Sequence, residues 1–300
     1  MIQAVLTAIL FAMSAVSAGR LTQLLSAGTA NLSRLALAAL MLALWPHTFG
    51  QGITGDALPW LVASGLIGFG LGDVALYAAY YRIGPQLAVL LCLCLAAPIG
   101  ALMEWLWLGT RLTLGQVFWG SVVLVGVLTA LAPGSQAVRA TRRPISGIVL
   151  GIIAAVGQAG GAVLTRRAYR AAATAGQQID GMTAAYQRIL GGLLITAAIV
   201  LIRRRCRFGR TSREVAVTER PWRRAWPWVV LTALCGPALG VACFQWALAV
   251  APTGTVLAIV ATTPLLVIPF AMLVDGEHPT LHSLTGGAIA VVGAAVLVYR

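Results

Sequence analysis

The sequence predicts an all-α membrane protein with ten transmembrane helices, arranged as two inverted five-helix repeats. Three observations carry this expectation. Of the 300 residues, 59% are hydrophobic and 10% charged, too few charges to coat a soluble domain of this length. The basic residues, all 21 of them arginine, gather mostly in short segments between apolar runs. The second half of the chain also repeats motifs of the first. A net charge of +13 by itself would suit a nucleic-acid binder. Arginines placed between apolar runs instead follow the positive-inside pattern, so no nucleic acid is expected as a partner.

The spans follow in order. The first, 2–19, has no basic residues ahead of it and no convincing small-residue cleavage site, so it is expected to be retained rather than removed as a signal peptide. The second, 27–45, ends at "WPHTFGQGITGD"; the third, 57–81, at "RIGP"; the fourth, 86–108, at "LGTRLT". The fifth, 115–132, runs into "APGSQAVRATRRP". Spans 146–165 and 183–202 are separated by a segment containing "TAGQQIDG", and "RRRCRFGRTSRE" follows the latter. Spans 226–249, 253–274 and 280–299 are divided by "VAPTG" and "VDGEHPT". Each span is near the ~20 residues needed to cross a bilayer, and each break carries turn or charge chemistry.

The repeat is legible residue by residue. The stretch from Ile83, "IGPQLAVLLCLCLAAPIGALMEWLWLGTRLTLGQ", aligns with "VAPTGTVLAIVATTPLLVIPFAMLVDGEHPTLHS" from Val250. At one offset Pro85 matches Pro252, Thr113 matches Thr280, Gly120 matches Gly287 and Gly126 matches Gly293; Pro98 and Pro264 agree to within one residue. "LSRLALAAL" around Arg34 resembles "YQRILGGLL" around Arg188. Residues 1–132 and 146–300 are thus read as two copies of one unit, joined by a linker at 133–145. Five is an odd number, so the copies must be inverted, an architecture that places a transporter's substrate site at the midplane between repeats.

These features resemble the drug/metabolite transporter superfamily, EamA type. The likeness rests on the short apolar loop, the proline, the helix broken by a second proline, and then "LGTRLT" or "DGEHPT", in both halves. The "GD…Y" segment of the third span also fits. Glu277 matches a glutamate usual after the fourth helix of each half, whereas the first half has Thr110 there, so a symmetrical glutamate pair is not expected. The resemblance implies alternating-access transport of small metabolites, often amino acids or toxic compounds, and termini inside the cell. The arginine count points the other way. Calling the side of the first loop side A, fourteen loop arginines fall on side A and five on side B, which suggests a cytoplasmic side A and termini outside.

Four charges fall within the spans: Arg34, Asp73, Glu104 and Arg188. Counting helix rise places Arg34 and Asp73 roughly 11–12 Å below side A, and Glu104 and Arg188 about 6–8 Å below side B. Two opposite-charge pairs are therefore expected, Arg34 with Asp73 and Arg188 with Glu104, since pairing lowers the cost of burial. They could line a substrate pathway, in which arginine holds an anion and a carboxylate carries a proton, or they could lock helices together. Asp73, Tyr77, Tyr80 and Tyr81 share a helix face, and Gly65, Gly68 and Gly72 form a small-residue stripe. Gln158, Gln245 and Trp246 are further pathway candidates; Gln245 is equally able to bridge helices, glycines beside Gln158 could admit a ligand or a neighbouring helix, and a tryptophan such as Trp246 more often packs or sits at the interface. Pro98 and Pro264 are candidate hinges.

Other chemistry is not signalled. The five cysteines are read as apolar packing rather than as metal ligands or disulfides. Asp275, Glu277, His278 and His282 cluster near side A but read as a solvated turn. With no Walker A loop and no nucleophile motif, neither ATP drive, nor an enzyme, nor any cofactor is expected. The function expected is secondary transport, in the export direction, of a small-molecule substrate across a bacterial inner membrane, by a monomer or homodimer in contact with lipid. A flippase for phosphorylated or lipid-linked substrates, or a membrane scaffold or receptor, would be alternatives.

Overall fold

A peptide unit in hydrocarbon must satisfy its own hydrogen bonds, and an apolar run does so as a helix. The computed structural model describes residues 1–130, 144–207, 220–275 and 281–299, and among them every long apolar run is helical, with no strand. The helices are α1 (Ile2–Leu24), α2 (Ala27–Thr48), α3 (Leu58–Ile83), α4 (Pro85–Leu108), α5 (Leu114–Ala130) and α6 (Pro144–Thr174). Then come α7 (Gly181–Arg207), α8 (Arg220 to Val250), α9 (Thr253–Val260), α10 (Thr263–Asp275) and α11 (Leu281–Tyr299). Seven of them, α1 to α4 and α6 to α8, are long and apolar enough to cross a membrane. Most of the linker at 133–145, the centre of the arginine loop, and Glu277 and His278 lie outside the described residues.

Three departures from a plain reading of the sequence have local causes. The span expected at 253–274 is two helices, interrupted at Ala261 and Thr262. Pro264 contributes to the break: it lacks an N–H, and its ring crowds the carbonyl four residues back. The hydroxyls of Thr262 and Thr263 take up the freed acceptors, donating to the Ile259 and Val260 carbonyls at 2.7 and 2.6 Å. Its counterpart Pro98 lies inside an uninterrupted α4. The second departure is a pair of π turns, Leu66–Gly72 within α3 and Leu234–Ala238 within α8. Such turns insert a residue and rotate everything beyond them.

That rotation explains the third departure. The glycine stripe does not meet a single neighbour. Gly65, before the π turn, lies against the Arg188 carbonyl of α7, whereas Gly72, at its end, faces Gly157 of α6. A Cβ on Gly157 would come within 2.6 Å of the Gly72 Cα, so the two backbones touch where any larger residue would part them. At the far edge of the bundle α5 and α11 meet in the same manner. A Cβ on Gly126 would reach the Ala290 amide at 2.6 Å, and one on Gly293 the Val123 amide at 3.2 Å.

Candidate functional site

One cavity of about 80 Å³ lies among α1, α2, α3, α4, α6, α7, α8 and the start of α10, and its charged lining residues are Arg34, Asp73 and Arg188. About 10–15 Å³ on this measure admits one water, so the space suits a small solute.

Arg34 is fixed on every side. Its Nε donates to Asn31 Oδ1 at 3.0 Å, one helical turn back on α2, and its Nη2 donates to Asp73 Oδ2. Its guanidinium lies 4.8 Å from the centre of the Tyr77 ring. Asn31 in turn donates to the Phe69 carbonyl in the π turn of α3 at 3.0 Å and to Thr196 Oγ1 of α7 at 3.2 Å. The pair expected from sequence is therefore present, and it ties α2, α3 and α7 together. Asp73 keeps 13% of its side chain accessible, at the cavity wall.

Arg188 stands in a different position. It is only 1% exposed, yet its Nε and Nη1 have no hydrogen-bond partner among the described residues. Its guanidinium sits 4.8 Å from the Phe69 ring and 5.8 Å from the Phe244 ring. Glycine makes room for it: a Cβ on Gly68 or Gly161 would approach its Nη2 to 2.5 or 2.8 Å. The expected pairing with Glu104 is not formed. Counting residues located the backbone of Arg188 near side B, but the long side chain carries its charge to Gly68, mid-way along α3.

Glu104 is engaged elsewhere. It is 2% exposed; Oε1 accepts from Arg166 Nε at 3.2 Å and Oε2 from the Thr253 amide at 2.5 Å, capping α9. Arg166 also donates to the last carbonyls of α8, that of Leu248 at 2.9 Å. Arg170 closes the end of α4 through the Leu108 carbonyl and Thr110 Oγ1, and Arg167 lies over Trp60. Arg166 and Arg170 are thus bound into the protein, while Arg167 stays exposed. The loops at 49–57 and 175–181 interlock beside them, through Gln51 to the Gln178 carbonyl, Gln177 to Asp56 and Trp45 to Asp180.

The other candidates divide. Tyr77 and Tyr80 are buried at the cavity, and Gln158 is half-buried there. Tyr81 is 80% exposed and turns away, one helix step beyond Tyr80. Gln245 is fully buried outside the cavity lining, where it donates to Thr165 Oγ1 at 3.4 Å and joins α8 to α6. Trp246 packs its ring on Gly181 at the start of α7. Asn31, Phe69 and Phe244 were not singled out by sequence. Asn31 alone had a signal, as an amide one turn from a buried arginine in an apolar run. Cys92 is a free thiol on the cavity wall. Among the described residues, no three His, Cys, Asp or Glu side chains gather as a metal site.

No curated protein matches the chain. A solved protein crystal structure superposes on 99% of it, and over 96% of its own length, with a TM-score of 0.68 at 17% identity, a likeness that speaks to the fold alone. The family model of EamA-like transporters matches residues 1–132 and again 145–299, nearly the whole chain in two halves. A charged cavity enclosed by membrane-length helices is in keeping with that match, and the chain belongs to the EamA-like transporter family.

Proposed function

We propose that this protein is a secondary transporter that exports a small polar metabolite by alternating access, from a bacterial inner membrane. The observation that carries the reading is the cavity, which draws Arg34 and Asp73 from the first half of the chain and Arg188 from the second. Substrate sites between repeats have that composition. In this reading α9 and α10 form one broken span, giving ten, and the halves are inverted. The α5–α11 contact supports the inversion. Gly126 meets Gly286 and Ala290, while Gly293 meets Trp119 and Val123. Shifting either set by the repeat spacing produces the other, the mark of a two-fold relation. The two π turns also fall at matching places in α3 and α8.

The cavity extends toward side A, through Tyr80, Val89 and Ala18. Side B is covered by the interlocked loops and the Glu104–Arg166 clasp. Because two side-B arginines, Arg166 and Arg170, are held by internal partners, they are weak topology signals, and the side-A excess is sharpened. Side A is then cytoplasmic, and the cavity is poised to load from the cell. A C-terminal alkaline phosphatase fusion is expected to be active and a C-terminal green fluorescent fusion dark; the reverse pattern overturns the orientation. Transport itself is tested in proteoliposomes with a panel of labelled amino acids and small organic solutes, with and without a pH gradient. Saturable flux of at least one compound is expected above that of protein-free vesicles. Flux of none removes the transporter reading.

A further inference from the structure

Asp73 and Asn31 supply Arg34 with two acceptors. The spacing that sets Pro252 opposite Pro85 sets Gly240 opposite Asp73 and Phe244 opposite Tyr77. The spacing that sets Arg188 opposite Arg34 sets Ala185 opposite Asn31. The aromatic neighbour of the arginine is thus kept in the second half, and both acceptors are missing from it. Among the described residues Arg188 is left with Nε and Nη1 unpartnered, 1% exposed, at a cavity wall. A buried guanidinium in a membrane is costly unless something accepts from it.

We infer that Arg188 is the anion-binding residue of the substrate site, and that the transported solute carries one oxyanion that occupies the place left by the missing acceptors. Asp73 neutralises Arg34, so the charged lining of the empty cavity sums to one positive charge. A single carboxylate balances it, while a phosphate dianion overshoots. Phe69 and Phe244 stack beside the guanidinium and keep competing water from its faces. The glycines at 68 and 161 leave the space the guanidinium occupies. The inference names the substrate class for the transport reading above and rests on it, yet binding can be measured without transport.

The test compares thermal unfolding of purified wild type, Arg188→Gln and Arg188→Lys with pairs of small solutes: amino acids and short carboxylic acids, each beside its amide, with inorganic phosphate as a further arm. In the absence of ligand, Arg188→Gln is expected to melt no lower than wild type, because no protein acceptor loses its donor. Acids are expected to stabilise wild type, with at least tenfold weaker apparent affinity in Arg188→Gln, partial recovery in Arg188→Lys, and no effect of the amides. Stabilisation by phosphate alone, lost in Arg188→Gln, keeps the oxyanion site and assigns it to phosphorylated solutes. Amides acting as well as acids, acids acting equally on Arg188→Gln, no acid acting at all, or a lower melting temperature for unliganded Arg188→Gln each overturns the inference. Acid binding without flux in proteoliposomes would instead count against transport.

Discussion

Changing Asp73 to Asn lowers the stability of the folded protein by about 3 kcal/mol, and adding Arg34→Gln returns most of it. The substitution strands a charge. Arg34 is 6% exposed, and besides Asp73 its one other hydrogen-bond acceptor among the described residues is the neutral amide of Asn31. Removing the carboxylate leaves a cation among apolar walls. Removing both charges leaves a neutral pair of similar shape, which costs within about 1 kcal/mol of nothing. The double variant also separates structure from coupling. With Asp73 gone the cavity wall has no carboxylate, so exchange of substrate across proteoliposome membranes persists while accumulation driven by a pH gradient is lost. Undiminished pH-driven accumulation in the double variant would remove Asp73 from proton coupling. A double variant no more stable than Asp73→Asn would show that the pair is not what holds α2 to α3. Thermal unfolding in detergent and paired flux assays supply both readouts.

The second large effect is expected at Glu104. Its two oxygens join four helices: Arg166 of α6, itself capping α8, and the first amide of α9, with Glu104 on α4. Glu104→Ala strands the Thr253 N–H and half of the Arg166 guanidinium, a loss of about 2–4 kcal/mol. Glu104→Gln keeps an acceptor for Thr253 and recovers about half of that. The larger consequence is for access. On the alternating-access reading the clasp closes side B beneath the cavity, and loosening it admits water from that side. Cys92, on the cavity wall, is a native reporter in a version lacking the other cysteines. Membrane-impermeant maleimide applied from side B labels Cys92 several-fold faster in Glu104→Ala. Unchanged labelling would show that the clasp does not act as a gate.

The comparison of sequence with structure turns on where a charge is counted. Arg34 and Asp73 were paired correctly because both lie on adjacent antiparallel helices at one depth, and nothing intervenes. The same count failed for Arg188 and Glu104. It ignored Arg166, one residue beyond the expected end of the sixth span, because α6 runs on to Thr174 before it ends. It also placed Arg188 by its Cα, although an arginine side chain can carry its charge a full helical turn away. The π turns were illegible for a different reason. They follow no residue pattern that hydropathy reports, yet they decide which neighbour each glycine of α3 meets. The break after Val260 was foreshadowed by Pro264, and the similar Pro98 shows that a proline alone does not make one.

The lone cation at Arg188 has an electrical consequence. In the transport cycle proposed above, an empty carrier with one uncompensated positive charge moves that charge through the membrane field each time access alternates, while a carrier holding a monoanion moves none. About 2.3 kcal/mol is involved per charge at 100 mV. On the export reading proposed above, a negative cell interior acts on the return of the empty protein, drawing it back toward the cytoplasm, and membrane potential contributes to export of the anion even before any proton is carried.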